Sequence, residues 1–213
     1  MTPLAIVTCG PSHAPIDAMR RITNASTGEI GAILSSALLS AGFEVVCFRG
    51  SGSTAPPPAG AATIAFDTNS DLLDGLKKIA GRPRAVFHAA ALCDFEPAEV
   101  SPGKIPTSCG EILLRLRPAA KVLPLLRPLF PDAFLVGWKY EVEGSRENAL
   151  AKGLSQIAAC QTSACAVNGP AIGSGFELVS PDGGSTPFPD KTALAAALAA
   201  AARREGLPAD FRA

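Results

Sequence analysis

The sequence predicts an α/β protein with a mainly parallel sheet, helices on both faces and a small β-hairpin extension. Short apolar runs rich in β-branched residues alternate with segments whose apolar residues recur at helical spacing, which is typical of strand–helix–strand units. The 213 residues are 47% hydrophobic and 18% charged, so the chain is long enough to bury a core and too apolar to stay disordered. We therefore expect a single domain over residues 1–213.

The first half of the chain alternates strand and helix patterns. Apolar residues recur every three or four positions from Ile30 to Leu38, which predicts a helix over residues 28–41. Asn69 is the expected N-cap of a second helix, which runs to about residue 81. The stretch 50–60 is rich in Ser, Pro and Gly and predicts an exposed loop. The apolar runs predict strands at residues 4–8, 43–48, 63–67 and 85–90.

The second half is more mixed but continues the same pattern. An alternating segment predicts a strand over residues 111–117, and continuous apolar runs predict strands at residues 134–140 and 164–168. The turn composition of residues 181–184 predicts a hairpin between residues 177–180 and 186–188. Helices are expected at residues 121–130, 145–160 and 191–204. This order of elements predicts a Rossmann-like, doubly wound sheet.

Composition excludes several classes of partner. Nineteen Lys and Arg residues balance nineteen Asp and Glu residues, so the chain lacks the excess of positive charge that binding to nucleic acid or to an anionic membrane surface requires. The longest alanine-rich run, residues 195–202, is too short to span a bilayer. The first nine residues lack the features of a secretory signal, which predicts a cytoplasmic protein.

The cysteines do not indicate a metal site. Six are scattered along the chain without a CxxC pair, and the only histidines are His13 and His88. We expect buried, reduced thiols and no bound metal at these residues.

The loop that follows the first strand carries the densest set of polar residues. It runs over residues 8–31 and has no GxGxxG, although a dinucleotide fold would place that motif here. Ser26, Thr27 and Gly28 instead open the helix, where hydroxyls, backbone N–H groups and the helix dipole suit an anion such as phosphate. The alternative is an ordinary Ser/Thr cap without a ligand.

These residues form part of a recognisable string. The pattern G-P-x-x-x-P-I-D-x-x-R-x-I-x-N-x-S-T-G, from Gly10 to Gly28, resembles the opening of phosphopantothenate–cysteine ligase, also called phosphopantothenoylcysteine synthetase. This is the domain found as the C-terminal part of DNA/pantothenate metabolism flavoproteins. Further segments agree in order: AALCDFEP at 90–97, GKIPTS at 103–108, VGWKYE at 136–141, ALAK at 149–152, VNG at 167–169 and GF at 175–176.

The resemblance implies a ligase of coenzyme A biosynthesis with small-molecule substrates. In this family the carboxylate of 4′-phosphopantothenate attacks the α-phosphate of a nucleoside triphosphate, which releases pyrophosphate and leaves an acyl-nucleotide. The amine of cysteine then displaces the nucleotide. The implied cosubstrate is CTP, with ATP as the alternative, together with Mg²⁺. The implied assembly is a homodimer, and no flavin is expected because nothing matches the decarboxylase that is often fused upstream.

The resemblance also implies the site residues. Asn24 is the expected donor to the acyl carbonyl, an oxyanion-hole role, and Lys152 is expected to reach the triphosphate. Arg20 suits a phosphate or carboxylate through its planar, charged fork, and Lys104 lies in a predicted flap. The expected substrate-binding residues are Gly10, Arg20, Ser26, Thr27, Gly28 and Lys104, and the expected nucleotide-binding residues are Ala91, Asp94, Trp138, Lys139 and Phe176.

Two departures from the family keep alternatives open. Pro106 and Thr107 stand where bifunctional bacterial members have two further flap lysines, so the loop resembles the monofunctional type, and Trp138 replaces a phenylalanine. One alternative is therefore a paralogue that binds nucleotide or pantothenate derivatives without ligating them. A less favoured one is an NAD(P)-dependent reductase, but Tyr140 has no lysine four positions later, where Gly144 stands.

Overall fold

An eight-stranded sheet forms the centre of the protein. The structure is a computed structural model that describes residues 2–204. The helices are α1 (Glu29–Ser40), α2 (Asn69–Lys77), α3 (Leu123–Leu129), α4 (Arg146–Cys160) and α5 (Lys191–Arg203). The strands are β1 (Leu4–Cys9), β2 (His13–Pro15), β3 (Arg21–Thr23), β4 (Glu44–Gly50), β5 (Ala62–Phe66), β6 (Ala85–His88), β7 (Phe95–Pro97), β8 (Leu116–Pro118), β9 (Phe134–Tyr140), β10 (Ala164–Asn168), β11 (Phe176–Val179) and β12 (Ser185–Phe188).

The strand order confirms the predicted doubly wound fold. The main sheet runs β12-β11-β10-β9-β6-β1-β4-β5, and the six strands from β10 to β5 are parallel. The hairpin of β11 and β12 adds two antiparallel strands at one edge. The chain order reverses between β1 and β6, so a crevice for ligands is expected at their carboxyl ends.

Helices cover both faces because successive strand residues point to opposite sides of the sheet. On one face Val7 and its neighbours pack under α1 and α5, and on the other Ile6 packs under α2 and α3. Helix α4 lies beside α3 over Cys165 and Val167. Close contact of α1 with β1 requires Gly31, since a Cβ there would lie 2.1 Å from the Cβ of Cys9. No helix of residues 2–204 is long and apolar enough to cross a bilayer.

The predicted strand over residues 111–117 is wrong for most of its length. Only Leu116–Pro118 forms a strand, which pairs with β7 in a separate two-stranded arm. All residues from 111 to 118 are exposed, so within residues 2–204 the alternating pattern has no face to pack against. One cysteine also departs from expectation, because Cys109 in this arm is exposed while the other five are buried.

Two further predictions need correction at the ends of elements. Thr68, not Asn69, caps α2: its hydroxyl accepts the N–H of Asp71, whose carboxylate accepts the N–H of Thr68. The helix then ends at Lys77, short of residue 81. The loop between β1 and α1 contains a short hairpin of β2 and β3.

Candidate functional site

The loops after β1 and β6 meet at the point where the strand order reverses. The N–H of Ala91 donates to the carbonyl of Gly10 at 2.9 Å, and the N–H of Ser12 donates to the carbonyl of Ala91 at 3.2 Å. Gly10 has φ +77°, and a Cβ there would lie 1.9 Å from the Oγ of Ser53 in the loop after β4. Three loops therefore approach each other at backbone distance, which only glycine at position 10 permits.

A buried polar network fixes these loops beneath the surface. The hydroxyl of Ser12 donates to Oδ1 of Asn69 at 2.7 Å and accepts the N–H of Cys93 at 2.8 Å. The Asn69 amide in turn donates to the carbonyls of Cys93 and Ala120, each at 2.9 Å. Because every group in this network has a partner, it orients the loops after β1 and β6 together with the start of α2.

The N-terminus of α1 has no side-chain cap. Its N-cap is Gly28 in the left-handed conformation, so no side chain of the cap residue accepts the first N–H groups. The hydroxyl of Thr27 accepts the N–H of Glu29 at 3.3 Å, and the backbone carbonyl of Thr27 accepts the N–H of Ala55 from the loop after β4. Ser26 is half-buried beside them. An anion site at this helix terminus therefore stays a prediction, beside the alternative of a terminus without a ligand.

Asn24 bridges the two loops of the crevice. Its Nδ2 donates to the carbonyl of Leu92 at 2.8 Å, and the residue is exposed. This places a neutral amide donor at the carboxyl edge between β1 and β6, where the sequence predicted it. Asp94, two residues after Leu92, is exposed and forms an ion pair with Lys121.

A buried carboxylate ties the segment around Lys104 to the same loop. Asp17 accepts the N–H groups of Met19, Arg20 and Ile105 at 2.8, 2.7 and 3.1 Å. Burial opposes ionisation of Asp17, but these N–H groups and the Arg20 guanidinium, 2.9 Å away, hold its pKa below the usual range. Arg20 also donates to the carbonyl of Ile105. The exposed Lys104 is thus anchored through its neighbour.

A second group of charges lies at the carboxyl end of β9, the neighbour of β6. Glu141 is buried, and its two carboxylate oxygens contact different lysines: Oε1 lies 3.1 Å from Nζ of Lys139, and Oε2 contacts Nζ of Lys152 on α4. Burial raises the pKa of the Glu141 carboxyl group, but the hydrogen bonds and charges of Lys152 and Lys139 outweigh burial and lower that pKa below its usual value.

The two predicted aromatic residues differ in their exposure. Trp138 is half-buried at the carboxyl end of β9, and its Nε1 is buried without a hydrogen-bond partner among residues 2–204. Phe176 begins β11 and is only 7% exposed, packed into the core under α5. It offers a base little surface, so its role in nucleotide binding stays a prediction that the geometry does not favour.

The structure therefore divides the predicted residues into two groups. The first group lies in the loops after β1 and β6, which hydrogen-bond to each other. The second consists of Trp138 and Lys139 on β9 with Lys152 beside them on α4, while Phe176 belongs to neither because it is packed in the core. Sequence reasoning missed the roles of Asp17, Asn69 and Glu141. Asp17 and Glu141 lie inside the quoted motifs, which was the available signal, whereas Asn69 gave none beyond its helix-start position.

One further buried pair lies at the floor of the crevice. Nδ1 of His88, at the end of β6, is 2.8 Å from the hydroxyl of Thr8 on β1. Burial lowers the pKa of His88 to about 4, so its ring is neutral at physiological pH. Within the described range no three His, Cys, Asp or Glu side chains cluster as metal ligands would.

Comparison with known proteins decides the family. The model of the DNA/pantothenate metabolism flavoprotein C-terminal domain matches residues 3–203. The chain belongs to this family. Among family relatives it is similar to the coenzyme A biosynthesis bifunctional protein CoaBC of Bacillus subtilis, with 28% identity over 178 residues that cover 82% of the chain and 43% of that protein. The chain spans less than half the length of the curated relatives it matches first.

Solved structures of the family share the fold. The DNA/pantothenate metabolism flavoprotein from Streptococcus pneumoniae superimposes with a TM-score of 0.80 at 20% identity, covering 93% of this chain and 96% of that one. A mutant of Cab2 in complex with phosphopantothenate-cysteine gives a TM-score of 0.76 at 18% identity, covering 95% and 86%. At these identities the similarity confirms the predicted fold class.

Proposed function

We propose that this protein is a phosphopantothenate–cysteine ligase that acts through an acyl-nucleotide. The observation that carries the proposal is Asn24, whose amide joins the loops after β1 and β6 and which lies four residues before Gly28, the N-cap of α1. An amide donor and an anion site thus lie within one short segment, as a reaction between a carboxylate and a phosphate requires. Family membership and the fold shared with a complex of phosphopantothenate-cysteine support it.

The residues take roles that follow from their chemistry. The α1 N-terminus with Ser26 and Thr27 holds the phosphate of phosphopantothenate, and Asn24 donates to the acyl carbonyl as charge develops there. Lys152 contacts the triphosphate. The carboxylate of phosphopantothenate attacks the α-phosphorus, the bond from that phosphorus to pyrophosphate breaks, and the ammonium group of Lys152 stabilises the negative charge that develops on the leaving oxygens. Cysteine then attacks the acyl carbon through its amine, expels the nucleotide and releases a proton as the amide forms.

The nucleotide and its metal are part of the proposal. CTP is the expected cosubstrate and ATP the alternative, contacted by the loop of Ala91 and Asp94 and by Trp138 and Lys139. Mg²⁺ enters as the complex with the triphosphate, because this ion binds through substrate phosphates, waters and one or two carboxylates. Asp94 is an exposed carboxylate in the loop after β6, and it would exchange its ion pair with Lys121 for that role.

We also propose a homodimer in which the arm of β7 and β8 is covered by a second copy. The arm exposes Phe95 (54%), Val100 (51%) and Leu113 (87%), an apolar surface that nothing in residues 2–204 covers. Lys104 lies in the segment between β7 and β8. Association of two copies through this arm would therefore stiffen the loop that holds this lysine. Small molecules are the proposed substrates, with no nucleic acid or membrane partner.

Pyrophosphate release tests the function directly. The purified chain is incubated with 4′-phosphopantothenate, cysteine and either CTP or ATP, each with Mg²⁺, and pyrophosphate and the amide product are quantified. We expect release that depends on phosphopantothenate and on one nucleotide more than the other. Binding of nucleotide without any release would instead support the alternative of a non-ligating paralogue, and release without amide would refute ligation.

A further inference from the structure

Glu141 has no role in the proposed reaction, yet its backbone is hydrogen-bonded on both sides at the carboxyl edge of the sheet. Its N–H donates to the carbonyl of Asn168 at 2.8 Å, and its carbonyl accepts the N–H of Ala171 at 3.1 Å. Gly169 has φ +114°, and a Cβ there would lie 2.4 Å from the carbonyl oxygen of Glu141. The backbone is therefore held on both sides, and the position of the carboxylate follows from it.

The two lysines that contact this carboxylate are more exposed than the carboxylate itself. The Glu141 side chain is 9% exposed, whereas those of Lys139 and Lys152 are 37% and 53% exposed. Each ammonium group has three donors and uses one on Glu141, so the others remain available to an incoming anion. Without the carboxylate, two like charges on neighbouring elements would move apart.

We propose that Glu141 is a positioning residue that holds Lys139 and Lys152 side by side as one binding element for the triphosphate. The proposal rests on the ligase function above and adds the residue that makes the two lysines act together. One carboxylate balances only one of the two positive charges, so the element keeps a net positive charge for the phosphates. The two ammonium groups are already in position to stabilise the negative charge of pyrophosphate as it leaves, so they do not have to be brought together during the reaction.

A second ion pair on the same helix provides a matched control. Glu177 on β11 is also buried, and its Oε1 accepts from Nε and Nη2 of the exposed Arg146 on α4, at 2.8 and 2.5 Å. Like Glu141, it joins α4 to the sheet through a carboxylate. Glu177→Gln therefore reports what losing such a pair costs in stability, without disturbing either lysine.

The activity test separates positioning from structural support. Glu141→Gln keeps the shape but presents an amide N–H group to one lysine. We expect its kcat for pyrophosphate release to fall by about 10- to 100-fold, while KM for the preferred nucleotide changes by less than about threefold because both positive charges remain. Glu141→Asp, which keeps the charge, should recover most of the loss. In the Lys152→Gln background, Glu141→Gln should cost little more, since with one lysine removed no pair is left to hold together.

The outcomes are distinguishable. Equal activity losses in Glu141→Gln and Glu177→Gln, or full additivity with Lys152→Gln, would overturn the positioning role. A wild type that releases no pyrophosphate with either nucleotide would refute the ligase function instead. Crystal structures of wild type and Glu141→Gln without ligands test the positioning role in that case as well. In Glu141→Gln, Nζ of Lys152 should lie more than about 1 Å farther from Nζ of Lys139 than in wild type, which is the scale on which misplacement affects catalysis. An unchanged distance between the two lysines would overturn the proposal.

Discussion

Replacing Asn24 with alanine should separate catalysis from stability. The residue is exposed, and its amide makes one hydrogen bond, 2.8 Å to the carbonyl of Leu92. Loss of one neutral hydrogen bond costs about 1 kcal/mol, and less at an exposed position, so Tm should fall by no more than about 2–4 °C. Loss of a donor to a developing oxyanion costs about 2.7–4 kcal/mol, which lowers kcat by about 10²- to 10³-fold.

The assay is steady-state pyrophosphate release at saturating substrates, paired with a thermal melt of each variant. Thr23→Val is the control. Thr23 is the neighbour of Asn24 in the sequence, and its hydroxyl also donates a hydrogen bond of 2.8 Å to a loop carbonyl, that of Ser12. It removes a loop contact of the same kind without removing the amide, so kcat should stay within about threefold of wild type. Similar losses in both variants would show that Asn24 only stabilises the loop, and a rate near wild type in Asn24→Ala would refute its role outright.

Three other variants test the remaining inferences. Lys152→Gln should reduce the single-turnover burst of pyrophosphate by about tenfold or more, whereas Asn24→Ala should retain more of the burst; equal bursts in both and in wild type would contradict both assignments. Sedimentation should show a dimer of the 21.7 kDa chain at micromolar concentration, and Leu113→Glu should shift it toward monomer; a wild type that sediments only as monomer contradicts the dimer. The third concerns His88, whose pKa near 4 in the folded state lies below its unfolded value of 6.5. The unfolded chain therefore binds more protons as the pH falls, so this contribution to stability is complete above pH 6.5 and is lost toward pH 4, on the order of 3 kcal/mol. His88→Asn should flatten urea-unfolding free energies over that pH range relative to wild type, and parallel curves would show that His88 is not the cause.

Local patterns predicted the elements whose burial is continuous. The strands at Phe134–Tyr140 and Ala164–Asn168 have the predicted bounds, because an apolar run in the middle of a parallel sheet is covered on both faces. The arm at residues 111–118 shows the opposite case. Its alternation is a real pattern, but a strand also needs a neighbour, and most of this segment has none in the part of the chain that the structure describes.

The site divides in the same way. The string from Gly10 to Gly28 determined by itself the family resemblance, the position of Asn24 and the glycine at the start of α1, because residue identity and spacing along one segment carry that information. Only the tertiary structure decided that Asp17 holds the segment of Lys104, that Asn69 joins three loops, and that Glu141 contacts two lysines. Apart from the contact of Lys139 with Glu141, these contacts join residues that lie 11 to 88 positions apart in the sequence. Their partners depend on how the strands align and the loops meet at the sheet edge, which no periodicity within one segment encodes.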